Sequence, residues 1–318
     1  MSAVLLFGIF FALLFLNVPI AMSLGVSSII TTMAVKPAMM STIAANLYSS
    51  TNTYTYVLLA IPFFILAGNI MDVSGISVRL INFFNSLVGH TKHGTAMVCV
   101  IVACFFAAIS GSGPATVAAL GGILIPAMSK SGYEKDTSAA LMSTAGAIGI
   151  VIPPSITFVV YGSVTGTSVG DLFMAGIIPG ILIGVAIYFT MVISSRGCNL
   201  VRQPKASGKE RWKAFGDAVW GILMPVIILG GIYGGIFTPT EAAAVSAIYG
   251  LIVGMFIYKT LCFKEIVVIL RQSVSQTAVV MLIIGCAAVF GKVLTFTGLA
   301  SDASQGLISI AHGNKYTF

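Results

Sequence analysis

Residues 110–116 read SGSGPAT, and residues 143–156 read STAGAIGIVIPPSI. A proline has no N–H to give to the carbonyl four residues before it. Where the flanking residues are helical, Pro114 therefore releases the Ser110 carbonyl, and Pro153 and Pro154 release those of Gly149 and Ile150. Ser110 and Ser112 add hydroxyl oxygens, while Gly111, Gly113 and Gly149 let backbones approach closely. Clustered carbonyl and hydroxyl oxygens without a carboxylate suit a hard monovalent cation such as Na⁺ and argue against Ca²⁺ or Mg²⁺. The plainer alternative is that the prolines are packing kinks in ordinary helices.

The elements that carry these breaks are apolar. Of 318 residues, 58% are hydrophobic and 8% charged, and the mean hydropathy is +1.04. A soluble domain carries about 25% charged residues, so the composition excludes one and indicates an all-α integral membrane protein. Freed carbonyls in such a chain must face a neighbouring element, a water-filled cavity or a cation, because a bare one in lipid costs several kcal/mol. The five cysteines are scattered and suggest neither disulfides nor a metal site. The amino terminus has no Lys or Arg before its apolar run, so it reads as a retained helix and not a signal peptide.

Apolar segments long enough to cross a membrane are expected at 3–35 (broken near Pro19), 55–71, 137–163 (broken at Pro153 and Pro154), 169–195, 218–237, 241–258 and 273–298. The arms flanking SGSGP have about fifteen apolar residues each, about 22 Å of helix, which fits a re-entrant hairpin better than two crossings. The net charge of +7 is no nucleic-acid signal: six of the sixteen Lys and Arg residues lie between Arg196 and Lys213, a cytoplasmic marker. Parity then places 72–93 and 130–136 on the cytoplasmic side with 196–213, and 36–54 and 163–171 outside.

The chain also reads as duplicated. NVPIAMSLGVSSII from Asn17 parallels FTPTEAAAVSAIYG from Phe237, with Pro19 and Pro239 offset by 220, and Gly68 and Gly75 are matched by Gly291 and Gly298 at an offset of 223. The layout turns the two copies in opposite directions, as in secondary transporters. A second copy of SGSGP is expected near position 333, past Phe318, so half of the working site is expected outside this chain. The expected divisions are 1–93, scaffold helices of the first repeat; 94–163, the hairpin and broken helix; 164–237, connecting helices with the basic loop; and 238–318, an incomplete start of the second repeat.

SGSGPATVAALGGILIPAM, the pair Gly132 and Tyr133, STAGAIGIVIPPSI, AGIIPG and GIFTPTEAAAV together resemble the large membrane subunit of the tripartite ATP-independent periplasmic (TRAP) transporters, essentially end to end. The resemblance implies a multi-span helical transporter of the bacterial inner membrane, with inverted repeats and an elevator mechanism. It further implies Na⁺ coupling, a small membrane subunit, a periplasmic substrate-binding protein, and organic-acid cargo such as C4-dicarboxylates or sialic acid. By motif it places one sodium site on Ser110, Ser112, Gly149, Ile152 and Pro154. Ser112, Ser155 and Thr157 lie at the breaks, where they could hydrogen-bond a substrate carboxylate, aided by the positive end of the helix after Pro154; helix capping and interhelical bonding are their plainer roles.

Glu241 sits in TPTE, a capping box, and Lys292 is expected to snorkel to the interface. GGIYGG, GIIPG and GLIVG read as close helix packing, partner subunit included, and not as phosphate loops. His90, His93 and His312 fall outside the apolar spans, which leaves an intramembrane serine nucleophile without a base, so no enzyme is expected. A channel-like or purely structural membrane subunit is the remaining alternative.

Overall fold

The computed structural model of the chain describes residues 2–51, 53–298 and 305, and among these the regular elements are helices. They are α1 (Ser2–Phe15), α2 (Ile20–Val35), α3 (Met40–Thr51), α4 (Ala60–Val73), α5 (Ile76–Val88), α6 (Gly94–Ser110), α7 (Gly113–Lys130), α8 (Lys135–Ala147), α9 (Ile156–Thr165), α10 (Val169–Ser194), α11 (Gly208–Tyr233), α12 (Pro239–Ile252) and α13 (Phe263–Phe296). Among the described residues, five segments are long and apolar enough to cross a membrane: Tyr56–Val73, Val169–Ser194, Gly208–Tyr233, Pro239–Ile257 and Phe263–Phe296.

Packing groups the chain into two units, Tyr56–Ser275 and Met1–Thr55 with Gln276–Phe318. In the second of these, α1 packs on α2, and Leu6, Phe290 and Val293 form a buried core ringed by Phe10, Leu24 and Leu294. Buried hydroxyls of α2 return to their own helix where they are paired: Ser28 Oγ donates to the Leu24 carbonyl at 2.6 Å and Thr32 Oγ1 to that of Ser28 at 2.8 Å, whereas Thr31 Oγ1 is buried without a hydrogen-bond partner.

In the larger unit α4 packs on α12, α5 on α11, and α6 on α7, α8 and α10. Phe64, Ile70, Met71, Phe106, Ile109 and Leu120 are fully or almost fully buried there. The arms α6 and α7 have 17 and 18 residues, about 26 and 27 Å of rise, short of the roughly 30 Å hydrocarbon. Gly111 and Ser112 alone separate them, and the two arms pack against each other as a helical hairpin.

Four elements depart from expectation, α5 among them, because residues 76–88 were expected inside the cytoplasmic loop 72–93 and instead form a helix that buries Ile76, Leu80 and Ile81. α11 and α13 each begin ten residues earlier than their apolar stretches, because charged first turns are stabilised by caps. Ser207 and Glu210 form a capping box at α11, and Glu265 accepts the Cys262 N–H at 2.6 Å before α13. Residues 40–51, expected as part of an outer loop, form α3. The Thr238–Glu241 capping box forms as read, and Lys292 is exposed. The two proposed repeat copies share local geometry: Pro19 and Pro239 each open a helix, and Gly75 and Gly298 take left-handed φ values of 72° and 75°. His312 and positions 299–304 and 306–318 of the last division lie outside the described residues.

Candidate functional site: the meeting of two helix breaks

The α6–α7 turn is made by two residues of opposite backbone habit. Gly111, at φ 61°, ends α6 in the left-handed region, where a side chain is strained. Ser112 is extended at φ −135° and opens α7 as its N-cap, its Oγ accepting a long bond from Ala115 N at 3.5 Å. Pro114 therefore lies in the first turn of α7, where its missing N–H costs nothing. This corrects the expectation that Pro114 breaks a running helix: the helix has already stopped at Gly111, and the proline helps the next one start.

The second break runs through Val151–Ser155, after a single 3₁₀ turn over Ile148–Ile150 that extends α8. The Pro153–Pro154 peptide is cis. Ser155 caps α9, accepting from Phe158 N at 3.4 Å, and its hydroxyl donates back to the Ile150 carbonyl at 2.5 Å. One of the two carbonyls expected to be freed by the prolines is thus satisfied across the break.

The two breaks are joined by a backbone hydrogen bond, Ile156 N–H to the Gly111 carbonyl at 3.2 Å. Their glycines are seated against backbone. A Cβ on Gly111 would lie 2.8 Å from the Pro154 oxygen, one on Gly113 2.9 Å from the Gly146 oxygen, and one on Gly149 3.2 Å from the Gly113 nitrogen. Two helix C-terminal ends (Ser110 and the 148–150 turn) and two N-terminal ends (Ser112 and Ser155) therefore converge. The former concentrate partial negative charge and the latter partial positive charge. Ser110 is buried and Ser112 half-buried, Ser155 is fully buried, and Thr157 is exposed.

Sequence-based comparison matches residues 7–318 to the family described as "Tripartite ATP-independent periplasmic transporter, DctM component". The chain belongs to that family. It is 38% identical over 323 residues to the C4-dicarboxylate TRAP transporter large permease protein DctM of Rhodobacter capsulatus, covering 97% of this chain and 73% of that protein. It is 41% identical to the isethionate TRAP transporter permease protein DctMQ of Oleidesulfovibrio alaskensis, across 96% of this chain and 48% of that one. With the sialic acid TRAP transporter large permease protein SiaM of Vibrio cholerae it shares 38% identity over 80% of this chain and 60% of that protein. As a TRAP large permease it is a multi-pass membrane protein, and its relatives are transporter permeases, not enzymes.

The five motif positions of this permease, Ser110, Ser112, Gly149, Ile152 and Pro154, fall at the convergence, and Ser155 and Thr157 border it. Sequence reading missed the residues that hold it in place. Thr116, fully buried, donates to the Ser112 carbonyl at 2.9 Å and pairs with Ser110 Oγ at 3.2 Å. Its signal was its position four residues after Ser112, on the same helix face. Gly68 of α4 lies against Ser110, with 3.0 Å from its would-be Cβ to Ser110 Cα, and Gly176 and Gly180 of α10 seat Val151 and Ile152. The GIIPG stripe, read as generic helix packing, is thus the seat of the second break.

A second polar cluster lies at the other end of the hairpin. His93, in the turn before α6, has its Nδ1 3.1 Å from Ser195 Oγ and 3.5 Å from the Tyr133 hydroxyl. Thr95 and Ser131 hydroxyls pair at 2.9 Å, and Val201 N–H donates to the Ser131 carbonyl at 3.0 Å. Burial, reinforced by Tyr188 and Cys198, pushes the Tyr133 phenol up to about 12. Burial and then Lys92 hold the His93 imidazole below its ordinary value.

Proposed function

We propose that this permease is the membrane-spanning subunit of a Na⁺-coupled secondary transporter that imports an organic acid, delivered by a periplasmic binding protein, with a small membrane subunit as partner. The observation that carries the reading is the convergence of opposite helix ends at one hydrogen-bonded crossing. A site for cation and anion together needs both polarities within a few ångströms, and paired helix breaks supply them. Sodium is held at Ser110, Ser112, Gly149, Ile152 and Pro154, by hydroxyl and carbonyl oxygens. Among the described residues no group of three or more His, Cys, Asp or Glu could hold a metal, which favours a weakly held monovalent cargo over a resident divalent ion.

The acid group is received at Ser112, Ser155 and Thr157, where α7 and α9 begin. The Ser155 hydroxyl is already engaged with Ile150 and Phe158, so Ser112 and Thr157 take the larger share. The cargoes named for the three relatives, C4-dicarboxylate, isethionate and sialic acid, are all organic anions. Residues 94–163 carry cargo and ion across the membrane as an elevator, in an inner membrane with 72–93, 130–136 and 196–213 on the cytoplasmic side.

The test is uptake against sodium concentration in proteoliposomes holding the complete transporter. Ser112→Ala is expected to weaken apparent sodium affinity roughly ten- to hundredfold, the equivalent of about 1–3 kcal/mol for a buried polar group losing its partner. Ser23→Ala is the control, because the Ser23 hydroxyl bonds the Val18 and Pro19 carbonyls at the entry to its own helix, each at 3.3 Å. Unchanged sodium dependence in a folded Ser112→Ala protein removes the serine from the site. Non-saturating flux independent of a binding protein would favour a channel.

A further inference from the structure

Away from the crossing, α5 and the start of α11 border an open cleft of about 270 Å³ lined by Phe83, Leu87, Gly208, Arg211, Trp212 and Phe215. Its walls are aromatic and aliphatic: Phe83 and Phe215 ring centroids are 5.6 Å apart, and Trp212 meets Phe215 edge-on at 5.9 Å. The one cation on the lining, Arg211, has a buried Nε with no hydrogen-bond partner. A buried guanidinium nitrogen left unpaired costs free energy, and an oxyanion is the partner its fork fits best.

The surroundings narrow the identity of that oxyanion. Trp212 is 76% exposed at the junction where the charged first turns of α11 give way to an uncharged run from Ala218. Amphipathic aromatics occupy that position at a bilayer surface. The neighbouring acid does not compete for Arg211, because Glu210 is folded back onto Ser207 N at 2.7 Å. Lys213 lines a separate polar cleft with Arg79, Asn82, Glu210 and Asp217. An apolar trough with one guanidinium on its lining, the Nε of which has no hydrogen-bond partner, complements a molecule with one phosphate and hydrocarbon chains.

We propose that this cleft binds an anionic phospholipid, its phosphate on Arg211 and its chains along Phe83, Leu87 and Phe215. The inference is independent of the sodium reading, and its test needs no transport. The complete transporter is purified, stripped of lipid in a neutral detergent, and its thermal midpoint is followed as phosphatidylglycerol, phosphatidylcholine or glycerol phosphate is added. Phosphatidylglycerol is expected to raise the midpoint at the lowest concentration, phosphatidylcholine only weakly, and glycerol phosphate not at all. Arg211→Gln is expected to weaken the phosphatidylglycerol response about fivefold or more, in line with one basic residue at a lipid surface, whereas Lys213→Gln leaves it unchanged. Should Arg211→Gln fail to fold, Gly208→Leu serves instead: Gly208 lines the cleft and a Cβ there meets nothing within 4 Å, so the variant is expected to obstruct the cleft without a clash at its Cβ. Equal responses to the two lipids, a full response to glycerol phosphate, or an unaltered response in Arg211→Gln or Gly208→Leu would each overturn the assignment. So would a complete transporter with no lipid response, which would give the cleft to the small membrane subunit.

Discussion

The tip and the base of the α6–α7 hairpin are built on opposite plans. At the tip, helices end and begin on glycine and serine, the joining bond runs from backbone to backbone, and the nearest neighbours of Gly111, Gly113 and Gly149 are main-chain atoms. At the base, side chains do the joining: His93 to Ser195 and Tyr133, Thr95 to Ser131. A site that must hold a small ion gains from oxygens fixed by the main chain, which lose no rotamer freedom on binding. A fastening gains from side chains that can be exchanged or titrated without disturbing the fold of the arms.

The comparison is broken most severely at Gly111. Gly111→Ala places a β-carbon at φ 61° and 2.8 Å from the Pro154 carbonyl. The left-handed conformation alone costs roughly 1–2 kcal/mol, and relief requires the two breaks to part. Apparent sodium affinity in proteoliposomes is expected to fall by more than tenfold. Gly122→Ala, in the middle of α7 with open space around its Cβ, is expected to stabilise slightly, by about 0.5–1 kcal/mol. If the two variants behave alike, main-chain contact is not what organises the tip.

A smaller effect is expected at Ser155. Ser155→Ala removes the N-cap of α9 and the donor to Ile150, a loss of about 1 kcal/mol or somewhat more. It is expected to lower the thermal midpoint by a few degrees while shifting sodium affinity less than Ser112→Ala does. A larger sodium effect than that of Ser112→Ala would move the ion from the first break to the second.

The base should answer to pH, and weakly. The His93 pKa is lowered in the folded protein from 6.5, by burial and by Lys92. The unfolded chain therefore takes up a proton first as pH falls, so this contribution to stability is present above about 6.5 and is lost as pH drops through that value toward the folded one. A modest fall in thermal midpoint between pH 7.5 and 5.5 is expected, and His93→Gln should flatten it. An identical slope in the variant would assign the pH response elsewhere.

How much of this was legible in the sequence follows the same division. The tip was readable because glycine, proline and serine act locally: each residue's backbone rules name its role before any partner is known. The base was not, because nothing in the spacing of His93, Tyr133 and Ser195 says that three separate turns will meet. The long helices were found from their apolar runs, but α11 and α13 were cut short where charges begin, since hydropathy does not register capping by Glu210 or Glu265. α3 was missed for a related reason: MSTIAANLYSST is too short and too rich in hydroxyls for the hydropathy signal. Gly68, Gly176 and Gly180 were recognisable as small, but only the fold shows that they receive Ser110, Val151 and Ile152.

The crossing of helix ends has one more consequence, which concerns distance. Two negative and two positive poles set close together form an arrangement close to a quadrupole, whose potential dies away much faster than that of a lone charge. Such a site pulls strongly on an ion already inside it and hardly at all on one in the bulk. On the proposed reading, ion capture at the crossing is a matter of contact and desolvation, not of long-range steering, and its rate is expected to be nearly indifferent to added inert salt.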